Sequence, residues 1–271
     1  MHFSVLLSIY YKENSDYLDS ALASLVNQTK IPSEIVIVKD GPLNNSLDEV
    51  ILNYENLYPN LFKIISLQKN QGLGDALNEG LKNCTHEYIA RMDSDDICVR
   101  ERFDIQISFL TQNPDISVTG GFIEEFAQIP GDLKRIKKVP LSYDQIKLFA
   151  KKRNPLNHPS VMFRKSAIES LNGYERMLFF EDYYLWLKLL FLNYKIVNLD
   201  QVLLYFRTGN DMIGRRHGYK YAVHELDFAL KARKQGLFSS TETVRFVLTR
   251  FPMRLIPKKM LNFIYRKIIR K

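Results

Sequence analysis

Cysteine is nearly absent: Cys84 and Cys98 are the only two in 271 residues. Two thiols build no disulfide framework, and their separation fits no metal-ligand spacing. A reducing compartment is the simplest setting for such a chain. Long apolar runs are also missing. No stretch approaches the ~20 residues of a membrane-spanning helix. The first apolar run, Phe3 to Ile9, includes two serines and follows no basic segment. It reads as a buried strand rather than a signal peptide. These absences argue against secretion and against a transmembrane anchor, and no internal repeat is evident.

Acidic residues are scarce in one half only. Residues 1–130 hold 9 Lys/Arg and 19 Asp/Glu, a balance of −10, and residues 131–271 hold 29 and 11, a balance of +18. From Thr241 onward, nine Lys/Arg face one acid, Glu242. A basic half of this kind suits phosphates, whether of a nucleic acid, an anionic lipid or a phosphorylated substrate. What the chain does have is a core-forming composition, 46% hydrophobic and 25% charged. That composition and length suit one large domain with a C-terminal elaboration.

Strands and helices alternate. Phe3 to Ile9 is continuously apolar, as in a strand covered on both faces. Leu18, Ala21, Leu22 and Leu25 then recur at helical spacing, after the start signal Ser15-Asp16. Further strands are predicted at Glu34 to Val38, Phe62 to Leu67, His86 to Met92 and Ile116 to Thr119. Helices are predicted at Ser46 to Tyr54, after Gln71-Gly72-Leu73-Gly74, and at Arg100 to Thr111. This order predicts βαβ units and a mostly parallel sheet. Residues 127–155 read as irregular and basic. A strand at His158 to Phe163, a helix at Glu181 to Leu192, short strands at Lys195 to Asn198 and Val202 to Phe206, and a helix at Tyr219 to Lys234 follow. Met260, Leu261, Ile264, Tyr265 and Ile268 share one helical face. They predict either an interfacial amphipathic helix or an ordinary surface helix.

The chemistry concentrates at strand ends. Arg91-Met92-Asp93-Ser94-Asp95-Asp96 places three carboxylates in four residues after an apolar strand. Such a run either holds a divalent cation at the carboxyl edge of a sheet or is a solvated turn. Asp40, at the tip of the second strand, and the Gly72 turn fall on the same edge. Glycine there lets backbone approach a ligand closely. Asp40 alone also suits a turn in Asp-Gly-Pro. Glu181-Asp182 opens a helix, where acids favour the dipole.

Several of these motifs occur together and in order: Ser8 to Asn14, Val38-Lys39-Asp40-Gly41, Asn70 to Gly74 with Ala76-Leu77-Asn78, and Ala90 to Asp96. His158 to Arg164 and Glu181 to Leu189 follow. This series resembles the family 2 inverting glycosyltransferases with a GT-A fold, above all bacterial enzymes of exopolysaccharide, capsule and O-antigen assembly, many of them galactosyltransferases. The match spans residues 3–207. It implies a GT-A domain over 1–207, with a nucleotide-sugar half (1–120) and an acceptor half (121–207). A basic C-terminal region (208–271) would follow.

The resemblance also implies roles. Asp95 is the principal ligand of Mn²⁺ or Mg²⁺, and Asp93 holds the ribose or the metal. Asp96 is a second-sphere group or the cap of the next helix. Arg91 balances the cluster or forms a structural ion pair. Asp40 meets the uracil edge, with Ser8 and Tyr10 lining the nucleoside pocket. Asp182 is the general base that deprotonates the acceptor hydroxyl, with Glu181 as local rival. Trp186 backs the acceptor pocket or belongs to the core, and His158 touches the donor sugar or is structural. The loop Gly209 to His217 departs from the commoner family ending; there Arg215-Arg216-His217 offers two phosphate donors and one possible metal ligand and reads as a lid over the diphosphate, or as a solvated turn.

The expected reaction moves a hexose, by resemblance galactose from UDP-galactose, onto a saccharide on a polyprenyl diphosphate. It would take place at the cytoplasmic membrane face, with the protein peripheral to it. Competing readings are a nucleotidyl or sugar-phosphate transferase, a nucleic-acid-binding module and an inactive homologue. The first half's acidity and the lack of a binding motif argue against nucleic acid.

Overall fold

The computed structural model describes residues 1–208 and 217–256. Arg215, Arg216 and the amphipathic segment Met260 to Ile268 lie outside the described residues.

Four parallel strands carry the nucleotide half: β1 (Ser4–Ile9), β2 (Glu34–Lys39), β3 (Phe62–Ser66) and β4 (Tyr88–Met92), in the order β3-β2-β1-β4. Alternation along β1 explains why both faces are buried. Val5, Leu7 and Ile9 point into one hydrophobic cluster and Leu6 into another. The first cluster is closed by α1 (Ser15–Val26), α2 (Asn45–Leu57) and α4 (Arg102–Gln112). The second is closed by α3 (Leu73–Asn83) and by the C-terminal helices. Asn14 caps α1, its side chain accepting from the amides of Asp16 and Tyr17. That leaves the next turn free to bury Leu18, Leu22 and Leu25.

Beyond β4 the sheet turns mixed. β5 (Ile97–Cys98), β6 (Ile116–Phe126), β7 (Arg135–Lys137), β8 (Met162–Arg164) and β9 (Lys195–Arg207) extend it in the order β4-β8-β6-β9-β5, with β7 on the side of β6. β8 is antiparallel to both β4 and β6, and β9 is parallel to β6. The expectation of a mostly parallel sheet therefore holds for β1–β4 and gives way after them. Two predicted short strands are one, β9, because pairing with β6 carries it past Asp200 and Gln201 with register shifts near Gly121 and Phe122. His158–Ser160 is a 3₁₀ turn leading into β8 rather than part of it. The segment expected to be irregular contains β7 and α5 (Tyr143–Phe149).

After the short α6 (Lys165–Glu169), α7 (Glu181–Phe191), α8 (Tyr219–Lys234) and α9 (Ser240–Leu255) pack on the second face of the sheet. Phe228 of α8 is their hub, with ring centroids 5.0 Å from Phe180, 4.7 Å from Tyr183 and 5.6 Å from Phe246. A buried ion cluster joins α8 to α9. Glu225 accepts from Arg254 at 2.8 Å and from Arg250 at 2.5 Å. Burial opposes the charge of Glu225, but the bonds and charges of Arg254 and Arg250 hold its carboxyl below the usual range.

A carboxyl depressed in the folded state contributes stability above its unfolded pKa, and that contribution is lost as pH falls through the folded value. Glu225→Gln is therefore expected to cost about 3 kcal/mol at pH 7. The gap from the parent should narrow by pH 3, as read by urea denaturation. An unchanged midpoint at pH 7 would show that the cluster does not hold α8 to α9.

Candidate active site

The site lies at the carboxyl edge of β1, β2 and β4. Asp40 follows β2 and is buried. Its amide donates to the Ile9 carbonyl at 2.7 Å, which sets it between Ser8 and Tyr10, both half-buried. Its two carboxylate oxygens accept from the amides of Gln71, at 2.6 Å, and Gly72, at 3.0 Å. Asp40 thus organises the turn that opens α3. Gly72 sits at φ +96°, which only glycine adopts readily. Gly41, at φ +86°, lies so close that a Cβ would stand 2.7 Å from the Asn70 amide nitrogen.

The acidic run ends β4. Asp93, Asp95 and Asp96 each offer an oxygen within 4.8 Å of the others. Asp96 is fully buried, and its Oδ1 accepts from the Arg207 amide at 2.9 Å. Its Oδ2 is buried with no hydrogen-bond partner. Burial first, then the charge of Asp93, pushes the Asp95 carboxyl up to about 6. Burial and the charges of Asp95 and Asp93 raise Asp96 well above the carboxylate range. Crowded acids with an orphaned buried oxygen fit a divalent cation, whose charge would offset their repulsion. Asp96 does not cap a helix, because β5 intervenes before α4 and pairs with β9.

Three arginines brace the run. Arg91, 2% exposed, pairs with Asp93. Arg102, fully buried in α4, donates to the carbonyl of Arg91 at 2.7 Å and to Gln106 at 2.9 Å. Arg207, at the end of β9, donates from Nε to the Asp95 carbonyl at 2.9 Å and lies over the rings of Tyr17 and Phe126. Sequence reading passed over Arg102 and Arg207, since a lone cation at an element end carries no local signal of its partner.

The second carboxylate centre opens α7. Asp182 Oδ1 accepts from the Tyr183 amide at 2.7 Å and Oδ2 accepts from Asn154 Nδ2 at 2.6 Å. Burial, with smaller contributions from Asp182 and Asp75, pushes the Glu181 carboxyl up to about 7. Its stem packs against Gly74, where a Cβ would come within 3.2 Å of Glu181 Cγ. Tyr174 ties the two centres together. Burial first, then the charges of Asp182 and Asp93, raises its phenol, while Arg91 opposes them. The charges of Asp93, Arg91 and Asp182 therefore all act on one phenol.

Two expected pocket residues lie in the core instead. Trp186, in α7, is fully buried and packs edge-on against His158. His158 is 8% exposed, shares a 3.0 Å hydrogen bond with the Tyr174 hydroxyl and packs edge-on against Trp186. Burial and then Arg91 push its pKa well down, so it is a neutral support under Tyr174. His217 does not join the acid cluster among the described residues. Its Nε2 meets the Ile256 carbonyl at 2.6 Å, and the neighbouring Gly218 amide bonds Arg254.

Carboxyls held above their ordinary range contribute stability at low pH that is lost as pH rises through about 6. Relieving one of them should help the metal-free protein at pH 8. Asp96→Asn is expected to raise Tm there by a few degrees (about 1–2 kcal/mol) while reducing any further rise that a divalent cation such as Mn²⁺ gives the parent. Thermal scans with and without the ion test this, and a variant that keeps the full manganese gain removes Asp96 from the site.

Residues 4–171 match the family described as Glycosyl transferase family 2. The chain is 41% identical over 268 residues to the amylovoran biosynthesis glycosyltransferase AmsE of Erwinia amylovora, covering 98% of each. It is 39% identical over 269 residues to the UDP-Gal:alpha-D-GlcNAc-diphosphoundecaprenol beta-1,3-galactosyltransferase of Escherichia coli, covering 99% of this chain and 97% of that one. Among solved structures, a mannosyltransferase from Pyrobaculum calidifontis, in complex with GDP-Man and Mn²⁺, matches with a TM-score of 0.68 at 15% identity over 98% of this chain and 75% of that one. S. aureus TarS 1–349 in complex with UDP-GlcNAc gives 0.61 at 20% identity over 99% and 76%. At such identities the structural likeness speaks for the fold, which is GT-A. A strand-tip acid cluster, a separate acid pair on a helix start and full-length similarity to named enzymes lead to one assignment: the chain is a glycosyltransferase and belongs to family 2.

Proposed function

We propose that this enzyme transfers galactose from UDP-galactose, with inversion, onto a saccharide carried by a polyprenyl diphosphate. The observation that carries the reading is the presence of two carboxylate centres, a crowded cluster at the tip of β4 and the Glu181-Asp182 pair at the start of α7, with Asp93 and Asp182 both acting on the Tyr174 phenol. One group suits a metal and a diphosphate, and the other suits proton removal. The name of the E. coli relative supports the donor and the acceptor.

In this reading Asp95 and Asp93 hold Mn²⁺ or Mg²⁺, which would neutralise the leaving diphosphate. Asp96 closes the cluster from below. Asp40 orders the Gly72 turn and, with Ser8 and Tyr10, receives the nucleoside, since each of its oxygens retains a second lone pair. Residues 1–120 would hold the donor and 121–207 the acceptor. Sequence position alone assigns Arg215 and Arg216 to the diphosphate. Asp182 takes the acceptor hydroxyl proton as that oxygen attacks the anomeric carbon from the face opposite the diphosphate.

The deciding measurement is product formation from UDP- and GDP-sugars on a lipid-diphosphate GlcNAc acceptor, with and without Mn²⁺. UDP-galactose with Mn²⁺ should be preferred. Asp182→Asn should lower kcat by about 10³-fold or more with donor affinity kept, and Glu181→Gln should retain transfer. Transfer by Asp182→Asn at the parent rate, with Glu181→Gln inactive, would move the base to Glu181.

We also assign the protein to an anionic bilayer surface at the cytoplasmic face. No helix among the described residues is long and apolar enough to cross a membrane. Instead α9 presents Val244, Leu248 and Leu255, exposed at 54%, 68% and 50%, beside exposed Arg245. Exposed apolar side chains beside Arg245, in a sequence region with nine Lys/Arg against one acid, fit an interfacial helix. The protein should sediment with phosphatidylglycerol vesicles and detach at high salt, and Leu248→Glu should weaken binding. Equal binding to neutral vesicles, or none to charged ones, would sink the assignment.

A further inference from the structure

A short irregular segment touches the proposed base, and no sequence motif marked it. Asn154 follows α5 in a stretch with no regular structure. Its Nδ2 donates to Asp182 Oδ2 at 2.6 Å, and its Oδ1 accepts from the Leu156 amide at 3.3 Å. The second bond fixes which end of the amide faces the carboxylate, because only the nitrogen can donate.

The segment is pinned on both sides of Asn154. Upstream, the Ala150 carbonyl accepts from Tyr183 Oη at 2.7 Å, and Lys151 Nζ donates to the Leu237 carbonyl at 2.6 Å. Arg250 of α9 donates from Nε and Nη2 to the Lys152 carbonyl at 3.1 and 2.9 Å. The same guanidinium binds Glu225. Downstream, the Pro155 carbonyl accepts from Asn198 at 3.1 Å, and Asn157 donates to the Gly121 carbonyl at 3.0 Å. The α8–α9 ion cluster therefore reaches the acid at the start of α7 through one peptide segment.

We infer that Asn154 is a positioning residue for Asp182, oriented by the Arg250 anchor, an inference that rests on Asp182 being the base. An amide donor does two things to a carboxylate. It favours the charged form, which is the form that accepts a proton. It also fixes the oxygens within the fraction of an ångström that proton transfer demands. The groups facing Asp182 otherwise include Glu181 on its own helix and Tyr174 with Arg91 behind it. Glu181 cannot replace the amide donor while it is ionised.

Asn154→Ala is expected to lower kcat about 10- to 100-fold with the KM for UDP-galactose unchanged, and to move the acidic limb of the kcat–pH profile upward. Asn154→Asp keeps the shape but replaces the donor with a second negative charge, so it should move that limb further. Arg250→Met, which frees the segment while leaving Asn154 in place, should show a smaller kcat loss in the same direction. Thermal melting and donor titration on each variant report folding. A well-folded Asn154→Ala whose acidic limb matches the parent's overturns the inference, as does an equal loss in kcat and donor affinity. Asp182→Asn separates the two claims. If it is inactive while the Asn154 limb stays fixed, only the positioning role fails. If it is fully active, the base assignment fails first.

Discussion

The site depends on the cost of placing three negative charges within 4.8 Å of one another in a partly buried strand tip. In water that repulsion would be modest, but burial multiplies it. The protein answers from beneath. Arg91 pairs with Asp93, Arg207 binds backbone and side chain of Asp95 and Asp96, and Arg102 holds the carbonyl of Arg91. These contacts fix the carboxylates without neutralising them fully, since Asp95 and Asp96 still sit above the ordinary range. Crowded carboxyls held above their ordinary range would be relieved by a further cation. The remaining architecture follows from keeping that cluster in place. β4 sits in the middle of the sheet, and β5 and β9 return to close over its tip.

The same frame separates the two carboxylate centres while keeping them in electrostatic contact. Asp40 clamps the turn that starts α3, Gly74 lets that start pack on Glu181, and α7 begins there. Tyr174 and His158 fill the space between α7 and β4, with Asn78 holding both backbone groups of Tyr174 at 2.7 Å. The rim of the site is thus continuous through short polar side chains bonded to backbone amides and carbonyls. Such a rim is suited to hold a proton acceptor at a fixed distance from a metal.

Legibility followed the range of the determining contacts. β1, α1 and the acidic run were readable because periodicity and a strand tip are local properties. Asp40 was singled out correctly as a strand-tip acid, yet its bonds to Gln71 and Gly72 come from thirty residues away. Trp186 and His158 occupy motif positions, but His158 is buried against both Trp186 and Tyr174, contacts that no spacing near residue 158 or 186 reveals. Asn154, Tyr174 and Arg207 were invisible for the same reason. Each is an ordinary residue locally and gains meaning only when another element arrives. β5, two residues long, is too short for any periodic signal.

The pair Glu181-Asp182 shows how one helix start can give adjacent acids different work. Two neighbouring carboxylates cannot both ionise cheaply when one is buried. Glu181 takes the buried position against Gly74, and burial pushes its carboxyl up to about 7. Asp182 takes the position with amide donors from Tyr183 and Asn154, which favour its charge. A proton on Glu181 removes the repulsion that would otherwise discourage ionisation next door. When Asp182 then collects a proton from an acceptor, the reverse holds, and Glu181 can release its own more easily. The two acids thus sit in uneven environments, one buried against Gly74 and the other held by amide donors.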